Sequence, residues 1–314
     1  MPWQAHAPSN IALIKYMGKL NTSTNVAANP SLSYTLPHLQ SHVRLELSQN
    51  QHDEWQPLSL PDVEPLQLSA TSQQRFLDHL QFIKNIHGVK QHFTVFSANN
   101  FPQAAGLASS ASSFAALTRA AIEACCELTE SPLPSSAQQA QWSRHGSGSS
   151  CRSFFAPWTL WEGDTVQAIE LPYTDLIHHV VLLDVTEKKI PSSLAHQRVQ
   201  TSPDFSTRAQ RAQHHLHSLR QALSQKQWRD AYRICFDEFQ DMHALFHNAC
   251  PPFSYMNDAA RQLLTRMQTH WNDCGDGPLI TMDAGPNIHL LFRGDQHDFA
   301  QHYIQALREH HHVI

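Results

Sequence analysis

The chain lacks any apolar run approaching the ~20 residues needed to span a bilayer, and none of its 314 residues fall into an internal repeat. A basic start followed by an apolar leader is also missing. Met1-Pro2-Trp3-Gln4 opens directly into mixed sequence, so no signal peptide is expected and a reducing cytoplasm is the expected setting. Positive charge is not in excess: 22 Lys and Arg face 27 Asp and Glu, a formal net charge of -5. That balance offers no electrostatic footing for nucleic acid or an acidic membrane surface. Paired cysteine spacing is absent as well. Cys125, Cys126, Cys151, Cys235, Cys250 and Cys274 show no metal-binding pattern, and several sit in apolar surroundings where Cys acts as a small hydrophobe.

What is present is the composition of a folded protein, 41% hydrophobic and 16% charged, long enough for one large or two modest cores. The 23 histidines stand out. His214, His215 and His217 on an expected helix, and His310, His311 and His312 near the chain end, read as solvated polar surface. His243 and His247 are four apart, but Ala244 occupies the position where a zinc protease carries its Glu. Zinc is therefore not expected.

Strand-rich sequence comes first and helix-rich sequence later, which predicts an α+β fold rather than alternating α/β. Residues 8–16 read as a buried strand, with short strands around 32–36 and 43–47 after a polar loop over 20–30. Residues 49–69 read as a Pro-rich loop or irregular edge, and apolar spacing predicts a helix over 74–87 that stops at Gly88. A strand around Phe93, Val95 and Ser97 then leads to an Ala-rich helix from about 112 to 126. Further strands are expected at 158–161, 177–183, 279–283 and 287–292, and helices at 137–145, 205–224, 227–247, 255–272 and 296–311. A domain boundary is expected near residue 176, dividing 1–176 from 177–314.

Four places carry chemistry. Residues 99–113, Asn-Asn-Phe-Pro-Gln-Ala-Ala-Gly-Leu-Ala-Ser-Ser-Ala-Ser-Ser, join a strand to a helix through small residues. Such a turn lets backbone approach an anion while the helix N–H groups point at it, although an ordinary Ser-capped helix has the same composition. Gly146-Ser147-Gly148-Ser149-Ser150-Cys151-Arg152-Ser153 reads as a second anion loop, ending in the side chain best suited to grip a carboxylate or phosphate. Lys15 follows an apolar run directly, a costly place unless it faces a partner or ligand. Asp283, beside Ala284-Gly285-Pro286-Asn287, is either a turn former or a carboxylate held at a cleft.

Taken together, residues 8–19 (Pro-Ser-Asn-Ile-Ala-Leu-Ile-Lys-Tyr-Met-Gly-Lys), both loops, Met242-His243-Ala244, Pro251-Pro252-Phe253-Ser254-Tyr255-Met256-Asn257 and the 282–287 turn resemble the diphosphomevalonate decarboxylase family of the GHMP kinase superfamily. The resemblance runs from residue 8 to residue 292. It implies a GHMP kinase fold with an N-terminal ribosomal-protein-S5-like lobe and a C-terminal ferredoxin-like lobe. It further implies ATP-dependent decarboxylation of mevalonate 5-diphosphate, with ATP and Mg2+, a small-molecule substrate as partner, and a homodimer. Carried over position by position, Asp283, Lys15 and Arg152 match the catalytic residues. Tyr16, Lys19, Ser147 and Ser149, with Arg75 and Ser193, match substrate contacts. Ala105, Gly106, Leu107, Ser109 and Ser110 fall in the ATP phosphate loop. No metal ligand is assigned.

The sequence departs from the family pattern at Met17 (usually Trp), at Ser113 (usually Gly), and at Leu194, where relatives often carry Thr or Arg. The last departure leaves a monophosphate-using decarboxylase, or a mevalonate 3-kinase, as the alternative on this scaffold. A non-catalytic small-molecule binder is the third reading.

Overall fold

A computed structural model describes residues 2–21, 25–61, 63–102, 109–184 and 190–314. In chain order the elements are strands β1 (Trp3–Ile14), β2 (Lys19–Asn21), β3 (Val26–Ala27), β4 (Ser31–Leu47) and β5 (Glu54–Pro57), then helix α1 (Ala70–His87), strand β6 (Phe93–Asn99) and helices α2 (Ser109–Thr129) and α3 (Ser136–Ser143). A 3-10 helix, Gly148–Phe154, precedes β7 (Trp158–Glu162), β8 (Thr165–Ala168) and β9 (Ile177–Leu182). The later part holds helices α4 (Ser192–Arg198), α5 (Phe205–Ser224), α6 (Trp228–His247) and α7 (Asp258–Cys274), the hairpin β10 (Leu279–Met282) and β11 (Ile288–Phe292), helix α8 (His297–Arg308) and strand β12 (His312–Val313).

Two sheets form. The first runs β5-β6-β4-β7-β8, with β1 on the other edge of β4; the second runs β10-β11-β9-β12, all antiparallel. The expected strands at 32–36 and 43–47 are two stretches of one 17-residue strand, β4. Pro37 does not end it, because β6 pairs only with residues 41–47 and β7 only with 31–34, so the proline nitrogen faces a gap in that ladder. Opposite Pro8 and Ser9 the pairing jumps from Gln40 to Leu36. The three unmatched β4 residues reverse the alternation of β1. Trp3 and Ala7 join the core under α1 and α2, whereas Ile11 and Leu13 join the core shared with α5, α6 and the second sheet.

The polar 49–69 stretch, expected to be a loop or irregular edge, contributes β5 as an edge strand parallel to β6. The 20–30 loop contains the small β2–β3 hairpin, and β8 also went unanticipated. Lengths this short leave too few alternations to register as a period.

Local chemistry accounts for the element ends. The Ser69 side chain accepts from the Ser72 N–H at the start of α1, and Gly88 ends the helix in the left-handed region at φ 69°. Alanines 115, 116, 120, 121 and 124 on α2 are fully buried, letting that helix lie close against β1 and β4. Behind the first turn of the chain a charged group is sealed in. Arg208 on α5 donates to both Glu238 carboxylate oxygens and, at 2.6 Å, to Asp241; His215 meets Glu238 at 2.6 Å. His215 is therefore half-buried and paired, not the solvated surface residue the sequence suggested, while His214 and His217 are exposed.

Three buried imidazoles are held neutral. His79 Nε2–H donates to Thr118 Oγ1 at 2.7 Å, because the Thr118 hydroxyl proton is committed to Phe114 O, and His79 Nδ1 has no partner. A proton added there would create an unpaired charge in the core. Burial lowers His79, His196 and His243 to about 3. In the unfolded chain each takes up a proton near pH 6.5, so below that pH the unfolded state binds more protons and folding loses free energy. The loss approaches about 4 kcal/mol per pH unit for the three together, at about 1.4 kcal/mol per group. The urea midpoint should fall steeply between pH 6 and 4.5, and His79→Gln should reduce that slope by about one proton.

Candidate active site

A cavity of about 610 Å³ opens between the two parts of the molecule. Its wall is built from chain segments far apart in sequence. Lys15 and Tyr16 follow the end of β1, and Lys19 starts β2. Arg75 lies on α1, and Ser109 and Ser110 are the first residues of α2. Ser147, Ser149 and Arg152 come from the 3-10 segment, Ser193 and His196 from α4, and Met242 from α6. Asp283 follows β10. Every predicted site residue among the described ones lines this one cavity. Ala105, Gly106 and Leu107 lie outside the described residues.

At the cavity's inner end, Lys15 Nζ donates to Asp283 Oδ1 at 2.7 Å. The lysine is sealed at 2% side-chain exposure, while the carboxylate keeps 23% and so presents an oxygen to the cavity. Burial lowers Lys15, and the Asp283 charge opposes that shift. Burial would raise Asp283, but Lys15, His289 and Arg152 outweigh it and hold the carboxyl below its ordinary range. The pair is therefore ionised. Asp283 is fixed from behind as well, since His243 Nε2–H donates to its carbonyl oxygen at 3.1 Å.

Arg152 is buried, with Nε donating to Asn10 Oδ1 at 2.9 Å and Nη1 donating to Ser31 Oγ at 2.8 Å. Those two bonds aim the guanidinium from a fixed base. Asn10 Nδ2 in turn donates to Ser153 Oγ at 2.8 Å. At the outer end, Arg75 Nη2 donates to Gly146 O at 3.0 Å, joining α1 to the Gly-Ser loop. Lys19 is lowered by burial and then by Arg75. Ser147 Oγ lies 3.4 Å from Ser110 Oγ and 3.2 Å from Ser149 Oγ, a cluster of hydroxyls across the two loops. Among the described residues the wall thus sets four cations, Lys15, Lys19, Arg75 and Arg152, against one carboxylate. It suits a ligand carrying several negative charges.

Tyr16 is held between the tilted rings of His196 and Trp161, with centroids 4.4 and 4.7 Å away, and its buried hydroxyl has no partner among the described residues. Met17, the departure from the family's Trp, is buried with Met242 and Phe246 beneath the cavity. Ser113 Oγ, on the buried face of α2, donates to Asn99 Oδ1 of β6 at 3.2 Å and lies 3.0 Å from Ser41 Oγ of β4. Leu194 is 38% exposed and is not part of the cavity wall, whereas Ser192, Ser193 and His196 beside it are.

Sequence reasoning assigned no role to Asn10, Ser31, His196, His243 or Glu238. Asn10 sat inside a quoted motif and a buried Asn on a strand asks for a partner, which was the available signal. His243 stood in the Met242-His243-Ala244 motif without a role, and Glu238 lies on the buried face of α6, where a single sequence shows only helical period.

A cation-lined cleft between a mixed first sheet and an antiparallel second sheet backed by helices, with the first residues of α2 in its wall, is the architecture of a GHMP-kinase-type small-molecule enzyme. The model of the diphosphomevalonate decarboxylase-like N-terminal domain matches residues 7–169, and that of the mevalonate 5-diphosphate decarboxylase C-terminal domain matches residues 179–313. The chain belongs to the diphosphomevalonate decarboxylase family. It is 51% identical to a mevalonate diphosphate decarboxylase from Legionella pneumophila whose crystal structure superimposes over 100% of both chains with a TM-score of 0.95. The diphosphomevalonate decarboxylase of Candida albicans is 30% identical over 91% of this chain and 83% of its own length. A structure of MDDEF in complex with MVAPP, AMPPCP and magnesium is 26% identical, covering 100% of this chain and 95% of that one at a TM-score of 0.86.

One glycine is dictated by this packing. A Cβ on Gly148 would stand 2.7 Å from Tyr16 Oη and 2.9 Å from its ring, and the flanking rings prevent Tyr16 from yielding. Gly148→Ala should displace the Ser147–Ser149 wall and lower kcat/KM on the order of 10²-fold, the cost of roughly ångström-scale misplacement. Steady-state kinetics beside a thermal melt would check this. An unchanged kcat/KM would show that the loop has slack.

Proposed function

We infer that this chain converts mevalonate 5-diphosphate and ATP to isopentenyl diphosphate, ADP, phosphate and CO2. The observation that carries the reading is the Lys15–Asp283 pair at 2.7 Å, with the carboxylate turned toward the same cavity as Arg152. Family membership over nearly the whole chain supports it.

A tertiary alcohol leaves poorly, so the 3-hydroxyl is first phosphorylated. Asp283 accepts the hydroxyl's hydrogen bond, orients the oxygen and takes its proton as the terminal phosphoryl group of ATP is transferred. A carboxyl held at low pKa by Lys15 is a modest base, which suits a loose phosphoryl transition state that asks mainly for positioning. The bond from carbon 3 to the ester oxygen then breaks, and its electron pair leaves with phosphate. Lys15 offsets the charge on that leaving group, and the Asp283 carboxylate stabilises the positive charge left at carbon 3. Arg152 holds the substrate carboxylate. When the carbon–carbon bond to it breaks, its electrons complete the new double bond and CO2 departs. Tyr16, Lys19, Arg75, Ser147, Ser149 and Ser193 bind the remote diphosphate, whose binding energy aligns the reacting end.

The relative solved with MVAPP, AMPPCP and magnesium supports ATP and Mg2+ as the co-reactants. Among the described residues no cluster of three or more His, Cys, Asp or Glu could hold a metal by itself. The hydroxyls of Ser109, Ser110 and Ser147 at the α2 terminus are hard oxygen donors that fit Mg2+ carried in on nucleotide phosphates. There the ion would neutralise charge on the transferred group.

The test is incubation with magnesium-ATP and mevalonate, its 5-phosphate or its 5-diphosphate, following phosphate and CO2. CO2 is expected with the diphosphate, and its absence with all three would overturn the reading. Asp283→Ala should lower kcat by on the order of 10²-fold or more while leaving KM for ATP near its original value.

A further inference from the structure

His196 is a wall residue of the cavity that the proposed reaction does not use, and its geometry is unusually determined. It sits in α4 at 8% exposure, and its Nδ1 accepts the Gly18 N–H at 3.0 Å. An imidazole nitrogen that accepts carries no proton, so the single proton of the neutral ring lies on Nε2. The ring is stacked at a tilt on Tyr16, 4.4 Å between centroids, and forms part of the cavity wall. Nε2 is not among the sealed, partnerless atoms of the core, unlike Nδ1 of His79 and His243. Burial, then Lys19, then Arg152 lower this imidazole to about 3, so it is uncharged throughout the working range. Its bond to Gly18, the residue before Lys19, sets the ring toward the Lys19 end of the cleft.

We propose that His196 is a specificity-determining residue that donates its Nε2–H to a phosphoryl oxygen of the substrate's diphosphate tail, beside the Lys19 ammonium. The assignment rests on the reading of the cavity as a mevalonate 5-diphosphate site. It gives that site something four cations cannot supply. A fixed neutral donor adds direction without adding repulsion to Lys19, Arg75 and Arg152, and a charge-assisted bond of this kind is stronger than a neutral one. The Gly18 bond that selects the tautomer also anchors the turn leading into Lys19. Gly18 has φ 91°, and a Cβ there would stand 2.4 Å from the Phe205 ring. One imidazole therefore fixes the backbone that carries the ammonium and presents a second donor next to it.

Two variants separate these functions. His196→Asn keeps an acceptor near the Nδ1 position and removes the Nε2 donor, whereas His196→Gln places an amide N–H near Nε2 and removes the acceptor. With the full-length protein, magnesium-ATP and mevalonate 5-diphosphate, His196→Asn should raise KM for the diphosphate on the order of 10-fold or more, the effect of one hydrogen bond to a charged group, with kcat nearly unchanged. His196→Gln should hold KM close to that of the unaltered protein. Thermal melts report whether each variant is folded. Independently of any variant's folding or turnover, inorganic pyrophosphate added to the 15N-histidine-labelled original protein should shift the Nε2 signal of a neutral, non-titrating imidazole. A folded His196→Asn protein with unaltered KM, or no such shift at saturating pyrophosphate, overturns the proposal. An original protein that releases no CO2 from the diphosphate instead overturns the underlying reading of the reaction.

Discussion

Everything at the reacting end depends on how one lysine is held. The Lys15 backbone N–H donates to Glu238 Oε1 at 2.8 Å, and its carbonyl accepts from Arg208 at 3.1 Å and from Asn29 at 2.8 Å. Its ammonium goes to Asp283. The residue is pinned at both peptide groups and at its tip by α5, α6, the segment before β4 and the end of β10. Two buried ion pairs therefore share a single residue. Glu238 neutralises Arg208 behind the backbone while Asp283 neutralises Lys15 in front of it, and each pair limits the desolvation cost that an isolated charge would carry at that depth. Glu238, despite its burial, is kept below the ordinary carboxyl range, because Arg208, His215 and the Lys15 N–H outweigh the burial that would raise it.

Tight holding at the inner end contrasts with the outer end. There the groups are long side chains or small hydroxyls, Arg75 is exposed, and Ser110 and Ser193 face solvent. The cleft is tightly held around Lys15 and Asp283 and more accessible around Arg75, Ser110 and Ser193. Such an arrangement suits remote binding energy used to seat a reacting centre whose geometry is already set.

Much of this was legible in the residues, but unevenly. Helices α5 and α6 declare themselves through long apolar periods, and α1 through Gly88. Lys15 was conspicuous as a cation directly after an apolar run. Arg152 and Asp283 stood beside glycine-rich turns. The partner of each was not legible, since Lys15 and Asp283 are 268 residues apart and no local pattern encodes a contact at that separation. His196 was equally hidden. A histidine five residues past a proline in a short helix looks like surface, and only the fold shows that Gly18 claims one of its nitrogens. β4 was split in two because Pro37 reads as a break, and only the separate reach of β6 and β7 explains why the strand continues.

The reversed alternation in β1 has an evolutionary corollary. Leu13 has no opposite number, because Ala12 faces Ser33 and Ile14 faces Leu32. Between that bulge and the one at Pro8 and Ser9, the strand is measured against β4 residue by residue. Gaining or losing a single position there would send Ile11 out of one core toward the other and carry Lys15 off Asp283. Substitution can drift freely in such a segment only within its count of residues. Length variation is left to the surface connections, such as the stretch between β5 and α1, so chain length over residues 9–15 is a more stringent mark of descent than the identities of most residues within it.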